Sequence, residues 1–303
     1  MADVLSIAVV PRGSTHRYWK LIHGGALKAA HDLECAGLTV ELIWKGPIRE
    51  GDQEEHRQIV ESFFRKGVHG VVMAPCDSQS LVHTVEEAAR KNVPTVVIDS
   101  ELDTPHIVSF VGTDNRRAGA LAADRMGELL HGKGVVFVQK YQKGSLSTEA
   151  RETGFTDRIR TTYPGISVQT STEYAGRTTD SARRVAEAFL KKRAESIQGV
   201  FTLNESSTTG MLMALQGITL ANRLAFVGFD HSDTLSAAVR CKQIQGLVAQ
   251  DPFRMGELGV RAIVDHLQGR TVAKRMDTGA ILVTPENLQS AVIQQRLNPT
   301  VPE

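Results

Sequence analysis

Two apolar runs in this chain end in an acidic residue: Val96-Val97-Ile98-Asp99-Ser100 and Phe226-Val227-Gly228-Phe229-Asp230. Other polar side chains follow apolar runs in the same way. Arg12, Gly13, Ser14, Thr15, His16, Tyr18 and Trp19 come after the first run, and Lys45 after the second. Thr113 and Asp114, then Tyr141, Gln142, Ser147, Glu149 and Arg151, then Asn204 and Glu205, and finally Gln250 follow later ones. Carboxylates and amides can hold two neighbouring hydroxyls at once, and charged partners make the stronger bonds. Aromatic faces stack on the apolar C–H face of a ring. The inventory suits a small polyhydroxylated molecule, a sugar or polyol. Each residue also has an ordinary structural reading. Asp114 and Asn204 can be helix caps, and Tyr18 and Trp19 can be core.

Signatures of catalysis are missing. The chain has no Gly-x-Gly-x-x-Gly, no Walker loop, no His-Glu-x-x-His, no Gly-x-Ser-x-Gly and no Cys-x-x-Cys. Asp99, Glu149 and Asp230 could supply a glycosidase pair. However, binding clefts also use carboxylates as plain acceptors, and nothing marks one of the three as a proton donor. The expectation is binding without catalysis, with no metal and no cofactor.

These residues need strands to carry them. Apolar runs alternate with helical stretches from end to end. The first half reads strand Val4–Val10, helix Tyr18–Ala36, strand Thr39–Trp44, a helix opened by Asp52 with Glu55 at capping-box spacing, strand Val68–Ala74, helix Ser78–Lys91 and strand Thr95–Ile98. A short strand at Ile107–Val111 restarts the rhythm. Asp114 then caps a helix to about Leu130, followed by strand Val135–Gln139, helix Thr148–Thr161, strand Ile166–Thr170 and helix Thr179–Ala194. Strand Gly199–Leu203, helix Glu205–Gln216, strand Leu224–Phe229, helix Ser232–Val239, strand Ile244–Ala249, helix Pro252–Leu267 and strand Ala280–Val283 complete the series. Alternation of this kind predicts an α/β fold with mainly parallel sheets, whose ligands sit beyond the carboxyl ends of the strands. So many strands point to two sheets in two lobes. The halves echo one another: Val68-His69-Gly70-Val71 and Ile197-Gln198-Gly199-Val200 each begin a strand after a charged helix.

Bulk properties narrow the classes. The 303 residues allow two domains, and a net charge of +1 gives no case for nucleic acid or an anionic membrane. No apolar run reaches the roughly 18 residues of a membrane span. Met1-Ala2-Asp3-Val4 leads straight into a strand with no basic or apolar leader pattern, so the expectation is either a cytosolic protein or one whose signal has been removed. Cys35, Cys76 and Cys241 are odd in number and lack metal-ligand spacing, so free thiols are expected.

Taken in order, these motifs resemble those of the type I periplasmic binding proteins, the ribose-binding group of sugar receptors for ABC importers. The likeness runs from about Leu5 to Leu288. It is carried by Ser6-Ile7-Ala8-Val9-Val10 with Tyr18-Trp19 and Gly25-Ala26, by the Asp99 strand end, by Gly112-Thr113-Asp114-Asn115, and by Thr148-Glu149-Ala150-Arg151-Glu152-Thr153-Gly154-Phe155. The Asp230 strand end and Val248-Ala249-Gln250-Asp251-Pro252 complete it. The resemblance implies two Rossmann-like lobes joined by a three-segment hinge, 1–112 with 251–278 and 113–250 with 279–303. It implies that a sugar or polyol is captured between them by hinge closure. Arg12, His16, Tyr18, Trp19, Asp99, Ser100, Thr113, Glu149, Arg151, Asn204, Asp230 and Gln250 would contact the ligand, with Tyr18 and Trp19 sandwiching its ring and Gln250 at the hinge. Ser100 and Glu149 stand where the family usually has arginines, which argues against ribose itself. The implied partner is an ABC transporter permease, the implied state a monomer, and the implied location periplasmic or extracytoplasmic, with or without a lipid anchor and with the signal peptide removed. The same fold serves lactose-repressor-type regulators as an effector domain, and a regulator without its DNA-binding segment is the alternative reading.

Overall fold

Short β-branched runs become strands and the amphipathic stretches between them become helices, throughout the residues that this computed structural model describes, 4–218 and 223–301. Met1-Ala2-Asp3 of the leader reading lies outside them. The chain forms two compact units, Met1–Thr113 with Asp251–Thr278 and Pro299–Glu303, and Asp114–Gln250 with Gly279–Asn298. The three expected crossings fall at 113/114, 250/251 and 278/279, and the tail makes a fourth at 298/299. The sequence division put Thr113 and the tail in the second lobe. The units place both in the first. Thr113 is buried directly after the last central strand, and Val301 packs its Cγ2 where a side chain on Gly24 would lie.

In the first unit, β1 (Leu5–Val10), α1 (Arg17–Cys35), β2 (Val40–Trp44), α2 (Gln53–Lys66), β3 (Gly70–Met73), α3 (Val82–Arg90), β4 (Thr95–Ile98) and β5 (Ser109–Gly112) precede the crossing. The second unit holds α4 (Asn115–Leu129), β6 (Lys133–Gln139), α5 (Leu146–Thr162), β7 (Gly165–Thr170), α6 (Thr179–Arg193), β8 (Gly199–Thr202), α7 (Glu205–Gly217), β9 (Ala225–Phe229), α8 (Asp233–Arg240) and β10 (Gly246–Gln250). Then α9 (Pro252–Leu267) and β11 (Arg275–Asp277) return to the first unit, and β12 (Ala280–Val283) and α10 (Ala291–Leu297) to the second.

The two sheets share one strand order: β11-β5-β4-β3-β1-β2 and β12-β10-β9-β8-β6-β7. All pairs are parallel except β10 with β12. Both faces of each sheet are covered, so alternate strand residues enter different cores. Ile7 and Val9 join one cluster with Ile22 and Ile263, and Ala8 and Val10 join another with Val60 and Phe63. The echoed strand starts do the same work in each unit. His69 Nδ1 accepts the Ser6 N–H at 3.1 Å, and Gln198 Oε1 accepts the Val135 N–H at 2.9 Å.

Asp52 caps α2 through the Glu55 N–H, but Glu55 turns its own carboxylate to the Ile48 N–H, so the box is half made. Helix α3 starts at Val82 rather than Ser78. Asp77 accepts the N–H groups of Gln79 and Ser80 and holds that segment in a turn. Strand β11 and helix α10 have no counterpart in the sequence reading. β11 is a three-residue, largely exposed edge, too short and polar to signal itself. The three cysteines are free thiols.

One packing device recurs. A Cβ on Gly25 of α1 would lie 1.8 Å from the Phe253 carbonyl oxygen of α9, and one on Gly256 would lie 1.9 Å from that of Ile22. In the second unit, Cβ atoms on Gly119 of α4 and Gly154 of α5 would lie 2.1 and 2.0 Å from the carbonyls of Arg151 and Arg116. These helices touch backbone to backbone. Gly25→Ala is expected to destabilise the protein by about 3 kcal/mol or more, because a backbone carbonyl cannot step aside. Gly217→Ala, with nothing within 4 Å of its Cβ, should instead be neutral or stabilising by up to about 1 kcal/mol. Urea denaturation of both variants checks this, and an unshifted midpoint for Gly25→Ala would refute the contact.

Candidate functional site

The carboxyl ends of the strands in each unit carry a carboxylate in a strained setting. Asp99 follows β4 with φ 64°, and Asp230 follows β9 with φ 68°. Positive φ is unfavourable for a side chain with a Cβ, and such strain clusters at functional positions. At Asp99 the backbone turns sharply enough for the Ser100 N–H to reach the Ile98 carbonyl at 2.7 Å. The strand order makes the two positions equivalent, since β4 and β9 hold the same place in their sheets.

Around Asp99 the first unit assembles four of the expected residues. Tyr18, in the first turn of α1, donates its hydroxyl to Asp99 Oδ1 at 2.6 Å, and Ser100 donates to Oδ2 at 2.9 Å. Arg12, reaching from the loop after β1, donates to Ser100 Oγ at 3.3 Å and stands 4.0 Å from Asp99 Oδ2. His16 caps α1, its Nδ1 accepting the Tyr18 N–H, and so fixes the helix end from which Tyr18 projects. Trp19 sits deeper than the other four. It is 2 % exposed and part of the core with Ile22 and Ala26, with Tyr18 edge-on at 5.1 Å. Its place on the inner stripe of α1 packs it into the core, and the Arg12 guanidinium lies 5.8 Å from its ring centre. Thr113, at the crossing, is buried.

In the second unit, Asp230 Oδ2 accepts the Glu205 N–H at 3.1 Å and Oδ1 accepts from Gln250 Nε2 at 2.7 Å. Arg151 lies 3.8 Å from Oδ2, is almost wholly buried, and stacks its guanidinium 3.8 Å from the centre of the Phe229 ring. It also donates to the Leu203 carbonyl and to Asn115 Oδ1, both at 2.8 Å. Asn204 caps α7 in a reciprocal box with Ser207, the structural role weighed for it, and stays half-buried at the strand end. Glu149 does not join this group. It lies exposed in the first turn of α5, where its carboxylate accepts the Gly144 N–H at 2.8 Å and closes the preceding turn.

Each unit therefore pairs one carboxylate with one guanidinium and rings it with neutral donors. Such a surface is locally charge-balanced and rich in hydrogen-bonding atoms. It is suited to an uncharged polar ligand. Among the described residues no cluster of His, Cys, Asp or Glu could hold a metal ion. No helix of the described residues is long and apolar enough to cross a membrane.

The profile of a family described as a periplasmic binding protein domain matches residues 7–271. The chain is similar to the ribose import binding protein of Bacillus subtilis (strain 168), with 27% identity over 236 residues, 78% of this chain and 75% of that protein. It also resembles the crystal structure of a carbohydrate transporter solute-binding protein from Agrobacterium radiobacter in complex with D-arabinose. The TM-score there is 0.87 at 30% identity, over 98% of this chain and 99% of that one. An ABC transporter solute-binding protein from Agrobacterium vitis with bound D-fucose gives a TM-score of 0.86 at 28% identity, over 96% and 99% of the two chains.

His56 and Asn115 were not singled out from sequence. His56 shares the inner stripe of α2 with Ile59, Val60 and Phe63, and a histidine on an apolar stripe was the only signal available. It is 1 % exposed. Burial, then the nearby Arg12 charge, push it down to about 4, although a bond to the Val10 carbonyl and the Asp77 charge oppose this. The folded protein thus holds His56 neutral where the unfolded chain protonates near 6.5. Its linkage is absent above that value, and it costs stability progressively as pH falls from about 6.5 to about 4, by about 3 kcal/mol in all. Urea midpoints measured at pH 7 and pH 4.5 should differ more in the native protein than in His56→Gln. An equal loss in both would exclude His56 as the titrating group.

Proposed function

The chain belongs to the periplasmic binding protein domain family, and on that premise we propose that it is an extracytoplasmic solute-binding protein that captures a neutral sugar or polyol for an ABC importer. The observation that carries this reading is the pair of equivalent strained carboxylates, Asp99 and Asp230, each balanced by an arginine and ringed by hydroxyl and amide donors. A carboxylate whose oxygens already accept from protein donors keeps further lone pairs for ligand hydroxyls. The two similar crystal structures that hold D-arabinose and D-fucose, both neutral monosaccharides, fit the same chemistry.

In the proposed mechanism both half-sites act on one ligand. Tyr18, Asp99, Ser100 and Arg12 contribute from the first unit, and Asn204, Asp230 and Gln250 from the second. Ligand bonds made to both units favour the state in which both reach it, so binding and closure are one equilibrium. The four crossings absorb the motion, and a permease reads the closed form of a monomeric receptor. The reading as a regulator's effector domain has no observation in its favour.

Thermal-shift screening against pentoses, hexoses and polyols, followed by calorimetry, tests this. A ligand at a thousandfold excess over Kd should stabilise the protein by about 4 kcal/mol. Asp99→Asn and Asp230→Asn should each weaken the best ligand by about 10- to 100-fold, the cost of a lost charged hydrogen bond. Unchanged affinity in both variants would reject these carboxylates as the site. Silence of the native protein toward the whole panel would reject the sugar reading.

A further inference from the structure

The β8–β9 ladder ends early. Its register pairs Gly199 with Ala225, Val200 with Phe226 and Phe201 with Val227, so Phe229 lies two residues beyond the last rung. Asp230 hangs from that unsupported end. On the other side Val248 pairs with Phe229 and its carbonyl takes the Asp230 N–H, but toward β8 the register carries no rung beyond Phe201 with Val227.

A hydroxyl takes that place. Thr208, fully buried in the first turns of α7, accepts the Phe229 N–H at 3.1 Å and lies 3.1 Å from the Phe229 carbonyl, toward which it can donate. The same oxygen is 2.8 Å from the Asn204 carbonyl and 2.9 Å from the Thr202 hydroxyl, which is also fully buried. Gly228 is what lets it come so near, since a Cβ there would lie 2.3 Å from Thr208 Cγ2. One hydroxyl thus stands in for the missing rung and ties the end of β8, the cap of α7 and the end of β9 together. All three carry second-unit site residues: Leu203, whose carbonyl holds Arg151, Asn204, and Phe229-Asp230.

We propose that Thr208 is a positioning residue of the second half-site, holding Asp230 and Asn204 in register through the Phe229 backbone without touching ligand. This deepens the sugar-binding reading and rests on it for its effect on affinity. Its effect on the backbone is independent of any ligand.

The test uses Thr208→Val, which keeps the shape and removes the hydroxyl, with Thr208→Ser as the rescue. In ligand-free protein, amide hydrogen exchange at Phe229 should accelerate at least about tenfold in the valine variant and return toward native in the serine variant, as the loss of one buried hydrogen bond requires. Titrated with D-arabinose and D-fucose, the valine variant should bind about tenfold more weakly while the serine variant binds nearly as the native protein does. Unchanged exchange at Phe229 overturns the proposal, and so does faster exchange with native affinity. If the native protein binds neither of these two sugars, the exchange measurement alone decides whether Thr208 holds the strand end. Should the valine variant not fold, Thr202→Val removes one partner of the same hydroxyl and must show a smaller change of the same sign. No change there overturns the proposal.

Discussion

Helix backbones that meet with no side chain between them fix where the polar residues of each unit can stand. In the first unit the Gly25–Gly256 contact seats α1 against α9, and Gly70 leaves room for Ile263 beneath them. The start of α1 then lies so that Tyr18 reaches both Met255 of α9 and Asp99 beyond β4. In the second unit the link is more direct. The atom lying against Gly119 is the carbonyl oxygen of Arg151 itself. The contact that packs α4 on α5 therefore also sets the backbone from which the guanidinium reaches Leu203, Asn115 and Asp230. Interiors are close-packed and transmit small displacements. A wider helix spacing would move Arg151 off its carboxylate before it opened any visible void.

Holding a carboxylate half-buried in a strained conformation requires compensation, and the two units supply it differently. Asp99 draws on two hydroxyls and on Arg12, which keeps contact with solvent and leans toward Glu50 and the Trp19 ring as well. Asp230 draws on a backbone N–H, an amide and Arg151, which is enclosed and satisfied by a carbonyl, an amide oxygen and an aromatic face. A buried cation needs such partners because its desolvation is otherwise uncompensated. Removing Phe229 or Asn115 would thus disturb Asp230 without touching it.

Much of this was legible in the sequence because it depends on local pattern. Alternating apolar runs gave the α/β class, the cap at Asp114 follows from residue type, and Asp99 and Asp230 stand out because each ends a β-branched or aromatic run. The echo of His69-Gly70 and Gln198-Gly199 also had a physical basis, since both pairs cap a neighbouring strand and admit a large side chain from the crossing helix. Other features were hidden because a partner distant in sequence decides them. That Trp19 is also core shows only when the stripe of α1 is packed. That Glu149 closes a turn shows only when Gly144 comes back onto it. Thr208 and His56 read as an ordinary helical threonine and a stray histidine, and only the end of β9 and the Arg12 loop give them meaning.

The comparison of the two units separates scaffold from site. Gly25 and Gly154 are each the ninth residue of their helix, and Gly256 and Gly119 each the fifth. Asp251 and Asp114 cap those crossing helices through the same backbone donor, at Arg254 and Arg117. Matching positions here do matching jobs, because sheet order and helix spacing leave little choice. Where the strands end, correspondence stops. Tyr18 and Arg12 serve one carboxylate, Arg151 and Gln250 the other. At these strand ends the asymmetry falls on the residues proposed to meet a ligand or to support one that does. On the proposed reading, units that share a frame and differ in their donors offer the unlike edges of a sugar two different sets of partners.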